Sequence, residues 1–146
     1  MSFLVTFLQL AHDVAQAERG VALSPQLEVL GLVNVDGGVL DAPKFTGLMH
    51  QIATQARDSD AVVITNNVIT DPSQAPTTNV SFADLRALVA IPLPHVGIIY
   101  LDRPIRLGVI PRETLEKLKA FAESLFADAA HTTLTLDELK ARYAAL

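Results

Sequence analysis

Few side chains in this sequence have the types and the spacing that chemistry needs. The chain has no cysteine, which excludes disulfides, thiolate nucleophiles and thioether-attached chromophores. It contains neither a Gly-x-Ser-x-Gly elbow nor a Walker-type glycine-rich loop. The histidines lie too far apart for a local zinc-binding pattern: His12, His50, His95 and His131. The sequence therefore predicts a protein that is not an enzyme and that uses neither a metal nor a cofactor.

The densest group of hydrogen-bonding side chains lies in the segment 66–81, which is rich in Asn, Thr, Ser and Pro. Loops longer than about 12–15 residues are uncommon in compact domains and are often functional or mobile. We expect a loop here, followed by one short helical turn for which Ser81 and Asp84 have capping-box-like spacing. The polar side chains either bind a small ligand or only keep the surface of the loop hydrated.

The composition is that of one globular domain with a large core. Of the 146 residues, 50% are hydrophobic and 18% are charged, and the formal net charge is −5. This acidic balance gives no electrostatic footprint for nucleic acid or an anionic membrane. No apolar stretch reaches the roughly 18 residues of a membrane-spanning helix, and the first residues lack the basic region of a signal peptide. We expect a cytoplasmic protein.

Hydrophobic periodicity predicts the elements that must position any site. Apolar residues at helical spacing predict helices over 3–17 and 43–57, with Asp41 capping the second, and a long helix that starts near Pro111. Thr135 and Glu138 form a capping box for a last helix, 136–145. Strands are expected over 21–23, 27–35, 61–65, 87–91 and 96–101, the last two ending near Pro92 and at residues 102–104.

The connections between neighbouring strands are too short for parallel crossovers. An antiparallel sheet with helices on its faces follows, so the predicted fold class is α+β.

Three stretches of the chain resemble a GAF domain. Residues 17–23 resemble the family's first helix-to-strand junction, residues 88–93 and 97–102 resemble its central hairpin, and residues 103–118 resemble its last strand-to-helix passage. The resemblance implies a GAF-like domain over 1–127, and residues 128–146 are expected to be a C-terminal helical extension of the same domain. The chain departs from the family in its short hairpin at 93–96 and in Pro111, which stands where a capping Ser or Thr is usual.

The resemblance implies a five- or six-stranded antiparallel sheet, with the N- and C-terminal helices on one face. Middle helices and loops would roof the opposite face, where family members often hold a ligand. Bilin attachment is excluded by the missing cysteine, and the signature of cyclic-GMP-binding members is incomplete, since the Lys and the final Glu are absent. A haem would need His50 or His95 as an axial ligand. The candidate ligand-binding residues around this pocket are Asn66, Asn67, Asp71, Thr77, Asn79, Phe82 and Arg86.

The expected function is that of a non-catalytic, GAF-type sensory module in signal transduction. It would act by homodimerisation or by docking a separate signalling protein, since no output domain follows it in the sequence. The alternative function is that of a small-ligand receptor for a nucleotide or metabolite, with a pocket under the loop 66–81. The candidate homodimer contact consists of Phe3, Phe7, Phe121 and Phe126 on the first and last long helices. Alternatively, these four rings lie in the chain's own core.

Overall fold

The computed structural model describes residues 3–68 and 85–146, and these form five strands and five α-helices. In chain order they are α1 (Phe3–Ala15), β1 (Arg19–Leu23), β2 (Val29–Val33), α2 (Gly37–Leu40), α3 (Pro43–Ser59), β3 (Val63–Val68), β4 (Leu85–Leu93), β5 (Gly97–Pro104), α4 (Arg112–Phe126) and α5 (Leu136–Ala144). Two short 3-10 turns, Ile105–Leu107 and Ala129–Thr133, flank α4.

The strands form one antiparallel sheet in the order β2-β1-β5-β4-β3. Tight connections join β1 to β2 and β4 to β5, and such connections permit only antiparallel neighbours. β1 and β5 pair in the middle of the sheet, where Arg19 is the partner of Asp102 and Val21 that of Tyr100. The predicted α+β class and antiparallel sheet are confirmed, with five strands in the described part of the chain.

One face of the sheet packs against α1 and α4, and α5 packs on α1 at the same side. Phe7, Leu118 and Leu139, one from each helix, are fully buried in the same apolar cluster as Val89, Ile99 and Leu101 of the sheet. Leu139 belongs to the last helix, so the segment after residue 127 contributes to the core of the domain. α1 and α5 are further joined by an ion pair between Asp13 and Lys140, whose Oδ2 and Nζ lie 3.1 Å apart.

The four phenylalanines considered as a dimer contact lie inside the chain's own core. Phe7 is completely buried, and Phe3 and Phe121 are 9% and 6% exposed. The ring of Phe126 lies 5.1 Å from that of Phe3 and 6.2 Å from that of Phe7. Because these rings pack against one another across α1 and α4, they offer little surface to a second copy. The structure thus gives no support to a dimer anchored on these residues.

The other face of the sheet is covered by α3, which buries an apolar stripe made of Phe45, Met49, Ile52, Ala53 and Ala56. This stripe packs on Val21, Leu88 and Tyr100 of the three central strands. The face that carries α3 is called the α3 face below.

Two helix starts differ from expectation. Asp41 was expected to cap α3, but the N-cap is Ala42, without a side-chain hydrogen bond. Asp41 instead ends α2, a short helix that was not predicted. Asp36 caps the start of α2 by accepting a hydrogen bond from Val39 N at 2.8 Å. The capping box of Thr135 and Glu138 is confirmed, as is the absence of a side-chain cap at Pro111.

Four strands are longer than predicted, and the first of them, β1, begins at Arg19 and not at residue 21. β4 continues through Pro92 to Leu93. The proline is tolerated because the pairing of β4 with β3 ends at Ala90, so at Pro92 the strand has a hydrogen-bonding neighbour on one side only, β5. β5 continues to Pro104, although residues 102–104 were expected to end it. β3 reaches Val68, so the backbone of Asn66 and Asn67 belongs to a strand and not to a loop. The helical turn predicted at Ser81 and Asp84 lies outside the described residues.

Candidate ligand site on the α3 face

The side chain of Asp102, in the middle of β5, is completely buried and lies at the centre of a polar cluster on the sheet. Arg19 donates to it twice, from Nε to Oδ1 and from Nη2 to Oδ2, both at 2.9 Å. Arg86 Nη2 donates to Oδ1 at 2.8 Å, and the Tyr100 hydroxyl donates to Oδ2 at 2.5 Å. A buried carboxylate is accommodated only when it is paired and hydrogen-bonded, and this one accepts four hydrogen bonds.

Three neighbouring strands bring these residues together. Arg19 and Asp102 are direct partners across β1 and β5, and Asp102 is also the partner of Leu88 on β4. Side chains two residues apart on a strand share a face, so Arg86 lies beside Leu88, and Tyr100 lies beside Asp102. Because Leu88 and Tyr100 belong to the core under α3, the whole cluster is on the α3 face.

Phe45, near the start of α3, covers part of the cluster. Its ring is perpendicular to that of Tyr100, with centroids 5.6 Å apart, and the guanidinium carbon of Arg19 lies 4.9 Å from its centroid. A cation over an aromatic face within about 6 Å is attracted to it. Arg19 is therefore fixed by a bidentate pair on one side and by a ring on the other.

Arg86 has a second carboxylate partner but is incompletely satisfied. Its Nη2 also donates to Glu18 Oε1 at 2.5 Å. Among the described residues, its Nε atom is buried and has no hydrogen-bond partner. Its side chain is 13% exposed, whereas that of Glu18 is 47% exposed. The two arginines and two carboxylates balance in charge, and Glu18 is the member that faces water.

The main chain of Glu18 is held more firmly than its side chain. Its N–H donates to Asp102 O at 2.9 Å, and its carbonyl accepts from Asn34 Nδ2 at 3.1 Å. Its carboxylate has one described partner, Arg86. Movement of the Glu18 side chain away from Arg86 therefore leaves these main-chain bonds in place.

The electrostatics follow from burial and charge. Burial raises the pKa of Tyr100 well above its ordinary value, and the negative charge of Asp102, which accepts a hydrogen bond from the phenol, raises it further. Burial by itself would lower the pKa of Arg86, but the charges of Asp102 and Glu18 outweigh that effect and raise it. The cluster therefore contains a neutral phenol and a cationic Arg86 at any physiological pH.

The candidate residues named from the sequence have different outcomes. Arg86 lies in the cluster, as described above. Asn66 and Asn67 are placed by their backbone at the end of β3, with Asn67 the partner of Arg86 on β4. β3 ends at Val68, and β4 begins at Leu85. Four further candidates lie outside the described residues: Asp71, Thr77, Asn79 and Phe82.

Sequence reasoning missed the centre of the cluster. Arg19 was interpreted as part of a helix stop and Asp102 as part of a strand stop, yet Arg19 begins β1 and Asp102 lies within β5. A signal was available, because a charged side chain that shares a strand face with buried apolar neighbours needs a partner. The identity of that partner depends on a pairing between residues that are 83 positions apart.

Arg103, the next residue along β5, points to the opposite face of the sheet and has a different role. It is 8% exposed and donates to the carbonyls of Gly108 and Val109, each at 2.9 Å, and to that of Ala15 at 3.2 Å. Carbonyls at a helix C-terminus favour a cation. Arg103 therefore fastens the end of α1 to the segment before α4 and is not part of the candidate site.

A hollow of about 450 Å³ lies away from the cluster, between α4 and α5. Phe121 and Leu125 form part of its lining, and its arginine and lysine, Arg142 and Lys117, are exposed. Lys117 lies 4.6 Å from the centroid of the Tyr143 ring. Because the hollow contains no buried charge with an unmet hydrogen bond in the described structure, the cluster at Asp102 is the better candidate site.

The described residues show no group of three or more His, Asp or Glu side chains that could hold a metal ion. They also include no helix with the length and apolar character needed to cross a bilayer. Comparison with protein-family models, curated proteins and solved structures found no match. The fold establishes an α+β protein, and the arguments for function come from the residues themselves.

Proposed function

We propose that this chain is a non-catalytic, GAF-type module whose α3 face binds a small anionic ligand, bearing a carboxylate or a phosphate, at Arg86. The placement of α1 and α4 on one face and of α3 on the other agrees with what the family resemblance implies. The observation that carries the proposal is the buried Nε of Arg86, which has no acceptor in the described structure. A buried donor without a partner costs about 1–3 kcal/mol, and a ligand oxygen would remove that cost.

The mechanism of binding is an exchange of carboxylates. The ligand anion replaces the carboxylate of Glu18 at Arg86, so that the cluster keeps its charge balance. Glu18 is half-exposed and returns to water at little cost, whereas Asp102 is fully buried and stays in place. A guanidinium presents its donors as a planar fork, so Nε and Nη2 together are suited to a bidentate oxyanion.

The direct test is a thermal-shift screen of the full chain with a fixed panel of inorganic phosphate, citrate, ATP and cyclic GMP. Saturation at about 100 times the dissociation constant adds around 2.7 kcal/mol to the free energy of unfolding. We expect at least one anion of the panel to raise Tm. Arg86→Lys keeps the charge but removes the fork, and it should abolish most of that rise.

The matched control is Arg57→Lys. Arg57 is a partly exposed arginine on α3 that pairs with the adjacent Asp58, and its substitution should leave the ligand-induced rise unchanged. Each variant is compared with its own unliganded Tm, because Arg86 also belongs to a buried ion-pair network. If no anion of the panel stabilises the chain, or if Arg57→Lys removes the effect as completely as Arg86→Lys, the proposal fails.

Glu18→Gln provides a test in the opposite direction. The exchange predicts that removal of this competing carboxylate increases the affinity for an anion, because Arg86 then has one charged partner fewer. Titration calorimetry with the anion found in the screen should give a lower dissociation constant for this variant. Unchanged or weaker binding would mean that Glu18 and the ligand do not compete.

Action through homodimerisation or through a separate signalling protein is a second candidate function. Its expected anchors, the four phenylalanines, are packed inside the chain. The observation that favours it is a different surface, the exposed apolar edge of the sheet at β2.

A further inference from the structure

β2 is an edge strand with an unusual surface. In the described part of the chain it pairs only with β1. Its Val29, Leu30 and Leu32 are 41%, 44% and 40% exposed, and they are half of the exposed large hydrophobic residues found among the described residues. Monomeric proteins rarely leave an apolar edge strand open, because its free N–H and C=O groups invite pairing with another strand.

The sequence of this edge lacks the usual protection. Residues 29–35 contain neither a charged residue nor a proline. One irregularity is present, because the register with β1 shifts between Ala22 and Leu23. A bulge of this kind can discourage edge pairing, but here it leaves Leu30 as the most exposed of the three apolar residues.

We propose that β2 pairs antiparallel with β2 of a second copy of this chain, which would join the two five-stranded sheets into one. An antiparallel self-pairing is related by a two-fold axis, so it uses one edge from each copy and closes as a dimer. Main-chain hydrogen bonds between the strands would give affinity, as in other cases of strand addition. This proposal does not depend on the ligand site, and either can fail without the other.

The sequence of β2 favours one register. The strand Val29–Val33 reads Val-Leu-Gly-Leu-Val, which is the same in both directions about Gly31. When the pairing is centred on Gly31, Leu30 lies opposite Leu32 and Val29 lies opposite Val33, so each apolar side chain meets another apolar side chain. The pairing is confined to these five residues, because β2 ends at Val33 and Asn34 has a left-handed φ of 56°.

Side chains on both faces of β2 extend the contact beyond the strand pair. On the face of the terminal helices, Val5 of α1 lies over Gly31, so close that an added Cβ would be 2.9 Å from it. On the α3 face, Leu27 and Val35 are partly buried at the margin of the core. A specific dimer buries roughly 1,200–2,000 Å² in total, and these neighbours would add to what the strands alone provide.

The first test is the mass of the full chain by sedimentation equilibrium over a range of concentrations. We expect a monomer–dimer equilibrium. Leu32→Lys should weaken it by about thirty-fold or more, because it places a charge in the centre of the contact. Leu30→Lys is a second variant with the same expected effect, for use if the first lowers Tm. The matched control is Val109→Lys, an equally apolar residue that is 54% exposed and lies outside β2, and it should leave the dimer unchanged.

The second test uses the absence of native cysteines. Leu30→Cys and Leu32→Cys chains, each cross-linked alone and in mixture under mild oxidation, report the register directly. The Gly31-centred register puts residue 30 of one copy opposite residue 32 of the other, within the range of Cα distances that a disulfide spans. The mixture should therefore cross-link faster than either variant alone.

Three results would overturn the proposal. One is a chain that stays monomeric at every concentration. The proposal also fails if that monomer binds a different strand at its β2 edge, such as a lysine-rich peptide. Another is a dimer that Val109→Lys weakens as much as Leu32→Lys does. The third is equal cross-linking of the mixture and of the separate variants.

Discussion

Replacement of Asp102 by asparagine should be among the most damaging single substitutions in this chain. The carboxylate accepts four hydrogen bonds, three of them from the guanidinium groups of Arg19 and Arg86. Asparagine keeps the volume of the side chain but removes its charge. Its NH2 group is a hydrogen-bond donor and would face the donors that now bind the carboxylate. Both arginines, 11% and 13% exposed, would then lose a buried counter-ion.

The magnitude follows from the burial of the pair. Removal of one partner of a buried ion pair costs about 3–5 kcal/mol, because an uncompensated charge is left in a poorly solvated place. Domains have a total stability of roughly 5–15 kcal/mol, so a fifth or more of it is at stake. For a chain near 150 residues, each kcal/mol corresponds to about 2–4 °C in Tm, so Asp102→Asn should lower Tm by roughly 6–20 °C.

Urea denaturation followed by circular dichroism measures this effect, with an unchanged m-value as the sign that the native fold is kept. The control is Asp58→Asn on α3, since the Asp58 side chain is 65% exposed and pairs with Arg57 at the surface. That change should alter the free energy of unfolding by less than about 0.5 kcal/mol. If Asp102→Asn costs no more than Asp58→Asn, the account of the cluster as a tightly coupled buried network is refuted.

Four further substitutions test single positions. Tyr100→Phe should cost about 1.5–3 kcal/mol at pH 7, since Asp102 loses a charged hydrogen bond. Burial and Asp102 hold the pKa of Tyr100 above that of the unfolded chain, so stability should fall as pH rises past about 10. Melts from pH 8 to 11 should show a smaller fall in the variant, and equal falls would contradict the assignment. Gly97→Ala should destabilise by about 1–3 kcal/mol, because its Cβ would lie 2.2 Å from Leu23 O. Gly47→Ala, which has open space on α3, should instead stabilise by about 0.5–1 kcal/mol, and urea titration of both variants decides. Thr135→Ala should cost about 1 kcal/mol through loss of the capping box, measured as a lower Tm.

The long helices and the class of sheet could be predicted from the sequence, because local physics determines both. Apolar residues at a spacing of 3.6 mark the buried stripes of α1, α3 and α4, and each helix was found within a few residues of its predicted bounds. The capping box at Thr135 is also a local pattern. Short connections between strands exclude parallel neighbours, so the sequence predicts the antiparallel arrangement although it does not give the strand order.

The candidate site was decided by tertiary structure. Asp102 and Arg103 look like the end of a strand when they are considered with Pro104 alone, because charged residues and proline usually stop one. They continue β5 because each has distant partners: Asp102 pairs with Arg19 and Arg86 on one face, and Arg103 binds main-chain carbonyls on the other. No local window of sequence contains those partners. Local rules therefore determined the long helices and the antiparallel pairing, whereas partners far apart in the chain determined where β5 ends and which charges meet.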